Sequence, residues 1–144
     1  MDCAQLDTDT VSEILKQRNQ NVVRRASEYL SQHGVFIFSE LTWFEILRGL
    51  QEKNAQKQIE KFEVFAAHSE IKAVDTAVLR RAALLWAEAR KSGYPHNDAD
   101  LIIAATALVH DLTLVTGNAK HFEWITGLKI DDWRLPSERV DTPS

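Results

Sequence analysis

A single cysteine, Cys3, leaves this 144-residue chain without a partner for an intrachain disulfide, so nothing in it asks for an oxidising compartment. Bases are also in short supply. Against 21 Asp and Glu stand only 17 Lys and Arg, a net charge of −4, and the domain-wide basic footprint of a duplex nucleic-acid binder is absent. Five Gly and three Pro are too few for a fibrous repeat or a low-complexity linker. No window approaches the roughly 18 consecutive apolar residues of a membrane-spanning helix, so no membrane partner is expected. The opening MDCAQLDTDT has early acids and no apolar h-region, so a secretory leader is not expected and the expected location is the cytoplasm.

What is present is ordinary globular composition, 44% hydrophobic and 26% charged, at a length suited to one domain. Residues 1–134 read as that domain. Residues 135–144, with Pro136, Ser137, Pro143 and Ser144 and no apolar period, read as a mobile tail. Apolar runs rich in β-branched and aromatic residues at 34–38 and 112–116 predict buried strands, and weaker candidates lie at 3–6, 71–74 and 128–130. Between them the spacing predicts helices over about 11–18, 21–32, 40–51 and 55–67. A clearer helix covers 75–91, where Val78, Ala82, Leu85 and Ala89 share a face and Gly93 marks the end. Residues 98–110 are apolar almost all round, which suits a central buried helix. Alternating strands and helices predict an α/β fold with three layers, α/β/α, around a mainly parallel sheet of four to five strands. Ligands in such folds bind beyond the carboxyl ends of the strands.

Several acids fall at those ends. Asp7 and Asp9 follow the first strand candidate, although Thr10-Val11-Ser12-Glu13 fits a capping box and acids near a helix start are favoured by its dipole in any case. Glu45 lies among Trp43, Phe44, Leu41, Ile46 and Leu47, where a carboxylate is costly to bury unless paired or metal-bound; on an exposed face, a pair with Arg48 one turn on would account for it. Asp98 and Asp100 open the apolar helix with Asn97 as its N-cap, a placement that capping alone explains and that also aims Asp100 at the active edge of the sheet. Thr116, Gly117 and Asn118 follow the fourth strand as turn residues, and the Asn118 amide could hold a metal-bound water or a phosphate. His121 has no second histidine at metal-site spacing and reads as a surface or packing residue. A hard cation would join these acids, because Mg²⁺ and Mn²⁺ take oxygen ligands, need few protein carboxylates and keep several waters.

The same residues resemble the PIN-domain ribonucleases and, among them, the VapC-type toxins of bacterial toxin–antitoxin pairs. Leu6-Asp7-Thr8-Asp9-Thr10 resembles the family's LDTN opening, and Thr42 to Gly49 its Glu-bearing second motif. Asp100 to Ala107, DLIIAATA, is similar to its DxxIAATA helix. Leu114 to Phe122 followed by Gly127 to Trp133 resembles its LVTxNxxxF and GLxxxxW ending. The resemblance runs in order through nearly the whole chain. It implies that Asp7, Glu45 and Asp100 are the catalytic, metal-binding acids, supported by Asn118, Asp9, Asp98 and Thr116. It further implies Mg²⁺-dependent endonucleolytic cleavage of structured RNA such as transfer RNA, with Mn²⁺ able to substitute, inhibition by a cognate antitoxin, and a homodimer. Arg48, Lys53 and Lys120 are candidate RNA contacts by position. Asn118 stands where many members have a fourth acid and Asp9 where many have Asn, and the polar start Met1 to Leu6 departs from the family's apolar first strand.

Two other classes compete. Asp7-Thr8-Asp9-Thr10-Val11 fits the nucleophile motif of haloacid-dehalogenase-type phosphatases, with Asp7 attacking phosphorus, but that fold needs a Lys and then an acidic pair on further strands, and Lys129 almost touches Asp131 and Asp132. A PIN-like module that binds RNA or protein without cutting is the other, suggested by Asn118 and by Trp43, Phe44 and Trp86 if those rings are exposed rather than packed in the core. If Asp7, Asp9, Glu45, Asp98 and Asp100 converge, the net acidity of the chain belongs to one edge and the remainder is close to neutral.

Overall fold

Five short parallel strands form the centre of the computed structural model, which describes residues 2–136. In chain order the elements are β1 (Ala4–Leu6), α1 (Thr8–Lys16), α2 (Gln20–His33), β2 (Ile37–Ser39), α3 (Glu40–Glu52), α4 (Gln56–Ala67), β3 (Glu70–Lys72), α5 (Thr76–Ser92), α6 (Asp98–His110), β4 (Thr113–Val115) and β5 (Ile130–Asp131). The sheet order is β3-β2-β1-β4-β5, and every adjacent pair runs parallel. The predicted three-layer α/β/α architecture is therefore the one observed. No helix among the described residues is long and apolar enough to cross a membrane. Apart from Leu135 and Pro136, the tail expected at 135–144 lies outside the described residues.

The two-residue period of the strands sorts their side chains onto two cores. Ala4, Leu6, Phe36, Phe38 and Val115 face one side, where they pack with Val11 and Ile14 of α1, Val22, Ala26 and Tyr29 of α2, and Phe62 of α4. Ile37 and Leu114 face the other, against Val78 and Leu85 of α5 and Leu101, Ile103 and Ala105 of α6. Trp133, just past β5, closes the first core with its ring 5.5 Å from that of Tyr29 and 6.4 Å from that of Phe36. Arg25 ties down the same segment. Its guanidinium meets Asp131 at 2.6 Å and donates to the carbonyls of Asp132 and Leu135 at 3.1 and 3.3 Å.

The first strand differs from its weak appearance in sequence. β1 is the middle strand of the sheet and all three residues are buried, because Gln5, its polar member, donates its side-chain amide to the Ile103 carbonyl of α6 at 2.9 Å. The Tyr29 hydroxyl receives the Ala4 amide at 2.9 Å and anchors the start of the strand. Gln5 Oε1 remains buried without a hydrogen-bond partner among the described residues. An orphaned buried acceptor costs about 1–3 kcal/mol, so Gln5→Met, similar in volume and free of that acceptor, is expected to raise unfolding stability by about 1 kcal/mol. A urea titration followed by far-ultraviolet circular dichroism measures this, and a loss of stability would show that the bond to Ile103 outweighs the orphaned oxygen.

Helix starts also move. The first helix begins at Thr8 rather than 11, with Asp7 as its N-cap accepting the Thr10 amide at 2.8 Å, so Thr10-Val11-Ser12-Glu13 lies inside the helix and is not a capping box. α6 spans the residues expected, 98–110, and α5 starts from an Asp75 cap and ends at Gly93 in the left-handed region.

Candidate active site

Parallel strands all end on one edge, and the segment after β1, the helix after β2 and the start of α6 bring acids to it from distant parts of the chain, while the turn after β4 brings Asn118. Asp7 stands directly after the central strand and its amide bonds to the Val115 carbonyl at 3.0 Å, which fixes the backbone at the sheet edge. Glu45 lies on the second turn of α3. Asp100 occupies the first turn of α6, where the Asn97 cap receives its amide at 2.8 Å. Together with Thr8, Asp9, Arg48, Asn97 and Asn118 they line one open cleft of about 360 Å³.

Asp7 is the most enclosed of the three at 7% exposure. Burial pushes its carboxyl above the ordinary aspartate range, Asp9 adds to the rise, and hydrogen bonds from Thr116 and Thr10 oppose it. None of these influences is a cation. Glu45, its side chain 19% exposed, accepts the Thr8 hydroxyl at 2.5 Å and stands 3.9 Å from the exposed Arg48 guanidinium, which in turn lies 5.2 Å over the Phe44 ring. The burial that would leave Glu45 unpaired is thus partial, and Thr8 rather than Arg48 makes its short contact. Asp100, its side chain 28% exposed, is held by Asn97 Nδ2 at 3.1 Å and approached by His121 Nδ1 at 3.6 Å. The same imidazole nitrogen is 3.1 Å from Asn118 Nδ2, so it either accepts from Asn118 when neutral or faces Asp100 when protonated.

Not every residue singled out from sequence arrives here. Thr116 does, as a buried hydrogen-bond partner of Asp7 whose own hydroxyl receives the Asn118 amide at 3.0 Å. Asp98 does not: it borders a separate groove with Leu79, Ala82, Trp86 and Leu101 between α5 and α6, because two residues along a helix turn about 200° and place Asp98 and Asp100 on opposite sides. The acids at the edge are therefore four rather than five. Lys53 at the end of α3 and Lys120 in the short turn 119–121 are exposed and outside the cleft, whereas Arg48 lines it. Trp43 packs on the first core, while Phe44 and Trp86 are 51% and 42% exposed. His121, read from sequence as a surface or packing residue, proves to be a neighbour of Asp100; only its placement three residues after Asn118 could have hinted at this.

Among the described residues no three carboxylate, imidazole or thiolate groups close tightly enough to enclose an ion by themselves. The donor set nevertheless suits a hydrated hard cation. Carboxylates face an open, water-accessible cleft from several sides, and the innermost one is buried without positive charge to balance it.

Comparison with known proteins bears on this edge directly, since the model of one family, described as PIN domain, matches residues 5–125. The chain belongs to the PIN-domain family. This PIN domain is 28% identical over 129 residues to the tRNA(fMet)-specific endonuclease VapC of Salmonella typhimurium, covering 89% of this chain and 96% of that protein. Among solved structures it superposes on the DNA-bound VapBC of Salmonella typhimurium with a TM-score of 0.82 at 28% identity, covering 92% of this chain and 99% of the other. A toxin–antitoxin complex from Klebsiella pneumoniae matches with a TM-score of 0.69 at 25% identity, over 87% of this PIN domain and 94% of that chain.

Proposed function

We propose that this PIN domain is a divalent-metal-dependent endoribonuclease, the toxin of a toxin–antitoxin pair, which hydrolyses phosphodiester bonds in structured RNA of the transfer-RNA class and acts in the cytoplasm. The single observation that carries the reading is the convergence of Asp7, Glu45 and Asp100, from three separate elements, on one cleft at the carboxyl edge of the sheet. The relatives named as ribonucleases match over nearly their whole length, which favours the same chemistry here. An antitoxin partner is proposed from the complexes that the structural neighbours form. A homodimer is proposed from the exposed apolar groove of Leu79, Trp86 and Ile102.

In this reading Asp7, Glu45 and Asp100 hold Mg²⁺ or Mn²⁺, with Asp9 and Asn118 beside them. The ion supplies Lewis acidity, lowering the pKa of a water and offsetting charge on the phosphodiester. Thr116 and Thr10 orient Asp7, Thr8 fixes Glu45, and Asn97 fixes Asp100, so the three carboxylates are set before substrate arrives. The deep position of Asp7 keeps one carboxylate poorly hydrated and so a strong ligand for the ion.

A phosphatase reading is disfavoured by the position of its lysine. Lys129 precedes β5 and pairs with Asp2 at 3.5 Å and Asp111 at 3.7 Å, at the amino edge of the sheet and away from Asp7. To test the proposal, transfer RNA and an unstructured RNA are incubated with the purified chain in Mg²⁺, in Mn²⁺ and in EDTA. Discrete cleavage products in either metal and none in EDTA are expected. Full cutting in EDTA, or turnover of a small phosphomonoester instead of RNA, would overturn it.

A further inference from the structure

The cleft is acidic, yet RNA must bring phosphates on both sides of the bond being cut, and a polyanion needs positive charge at the lips of such a site. Arg48 supplies one lip, following β2 on one side of the central strand. On the other side of that strand, past β5, stands Arg134, which no motif singles out.

Its backbone is tied twice. The Arg134 amide donates to Asp132 Oδ1 at 2.9 Å, and its carbonyl accepts from Asn21 Nδ2 at 2.9 Å. Next to it Trp133 is buried in the first core, so the chain is rigid where the arginine leaves it. The side chain, 39% exposed, keeps its Nε within 3.6 Å of Asp132 Oδ1 and crosses onto Gly117 at the end of β4. A β-carbon on Gly117 would coincide with the guanidinium, so the missing side chain there is the socket that admits Arg134. The Gly117 φ is not in the left-handed region, so backbone conformation is not the reason for glycine at this position. Gly117 sits between Thr116, which bonds Asp7, and Asn118, which lines the cleft; Arg134 itself borders Asp9, another cleft residue. The two terminal guanidinium nitrogens meet no acceptor among the described residues.

We infer that Arg134, seated on Gly117, is a substrate-positioning residue that binds an RNA backbone phosphate adjacent to the scissile one, across the acidic edge from Arg48. A guanidinium held at Nε by a carboxylate presents its two free nitrogens as a fork matched to two phosphate oxygens. The Gly117 socket sets that fork on the loop after β4, near Asp9, rather than out in solvent. This assignment rests on the proposed reading of the cleft as an RNA-cleaving site.

The test measures binding and cleavage separately. Binding is followed by the anisotropy of a fluorescein-labelled single-stranded RNA of roughly a dozen residues, using Asp100→Asn in Mg²⁺ as the background, across a salt series. Arg134→Ala in that background is expected to weaken binding about tenfold and to make the slope of log Kd against log salt shallower by about 0.7, the value for one lost phosphate contact on a single strand. Arg134→Lys should recover the slope but only part of the affinity, since it keeps the charge and loses the fork. Gly117→Ala, which displaces the guanidinium while keeping the arginine in the chain, should weaken binding like Arg134→Ala while the thermal midpoint stays close to the parent. In the active chain Arg134→Ala should raise KM with kcat changed less than about threefold. Parent-like affinity and salt slope in Arg134→Ala, in a chain that cuts RNA, would overturn the inference and leave the proposed function standing. A parent chain that neither binds nor cuts RNA would overturn both.

Discussion

Asp7→Asn is expected to lower metal-dependent RNA cleavage by about a thousandfold while leaving the purified protein at least as stable as the parent at neutral pH. Both halves follow from one carboxyl group. One oxygen caps α1 through the Thr10 amide, a bond the amide oxygen of Asn makes equally well. What Asn cannot do is carry the negative charge that a hard cation requires, and losing such a ligand costs several kcal/mol of transition-state stabilisation. The stability half comes from the burial that pushes the Asp7 carboxyl above its ordinary range. With the folded-state pKa raised, the folded chain binds this proton more tightly than the unfolded chain does. The contribution of the group to stability is then fully present below its unfolded pKa and is lost as pH rises through the folded one. At neutral pH the metal-free parent therefore carries a penalty that Asn lacks. Denaturant midpoints in EDTA at neutral and at acidic pH measure it, and the advantage of the variant should shrink on acidification. Saturating Mn²⁺ should raise the thermal midpoint of the parent and not that of Asp7→Asn, because an ion that binds only the folded state stabilises it by mass action. A variant that unfolds, or one that retains cleavage, would remove Asp7 from the proposed role.

Trp133→Ala is expected to cost about 3–5 kcal/mol of unfolding free energy, the range for removing a fully buried indole. Its ring packs tilted against the stacked Tyr29 and Phe36 rings in the first core, and removing it would leave an indole-sized space there. Against a typical total of 5–15 kcal/mol this is a large fraction. The denaturation midpoint should fall accordingly, with Trp133→Phe intermediate. A loss below about 1 kcal/mol would mean that the segment after β5 is only draped on the core, and the rigid base assigned to Arg134 would go with it.

Local pattern located every α-helix and all five strands, with the helices carrying the stronger signal. α5 and α6 were legible because a four-three-four apolar spacing, or an unbroken apolar run, sits between an Asp or Asn cap and a left-handed exit. Strands of three residues, buried on both faces, show no alternation to read. β1 looked weak because Gln5 finds its partner at Ile103, a contact that exists only once the chain has folded. The site divides in the same way. Asp7, Asp100 and Asn118 each mark an element end, Glu45 is a carboxylate within an apolar stretch of helix, and all four could be picked out as candidates. Helical phase would have separated Asp100 from Asp98, since the turn between neighbouring positions is known without coordinates. Arg134 and Gly117 had no such signal, being 17 positions apart with neither in a motif that points to the other.

The placement of β1 in the middle of the sheet has a consequence for how a ribosome makes this protein. Ala4, Gln5 and Leu6 are synthesised well before β4, and β2 can pair with one side of them early. Their other side stays open until Thr113, Leu114 and Val115 have been synthesised, and the Val115 carbonyl that pins the Asp7 amide arrives with them. Asp100 and Asn118 also come from this last third of the chain. A nascent chain therefore presents Asp7 long before its cleft partners exist, and the four groups of the cleft meet only once the segment through Asn118 has been made.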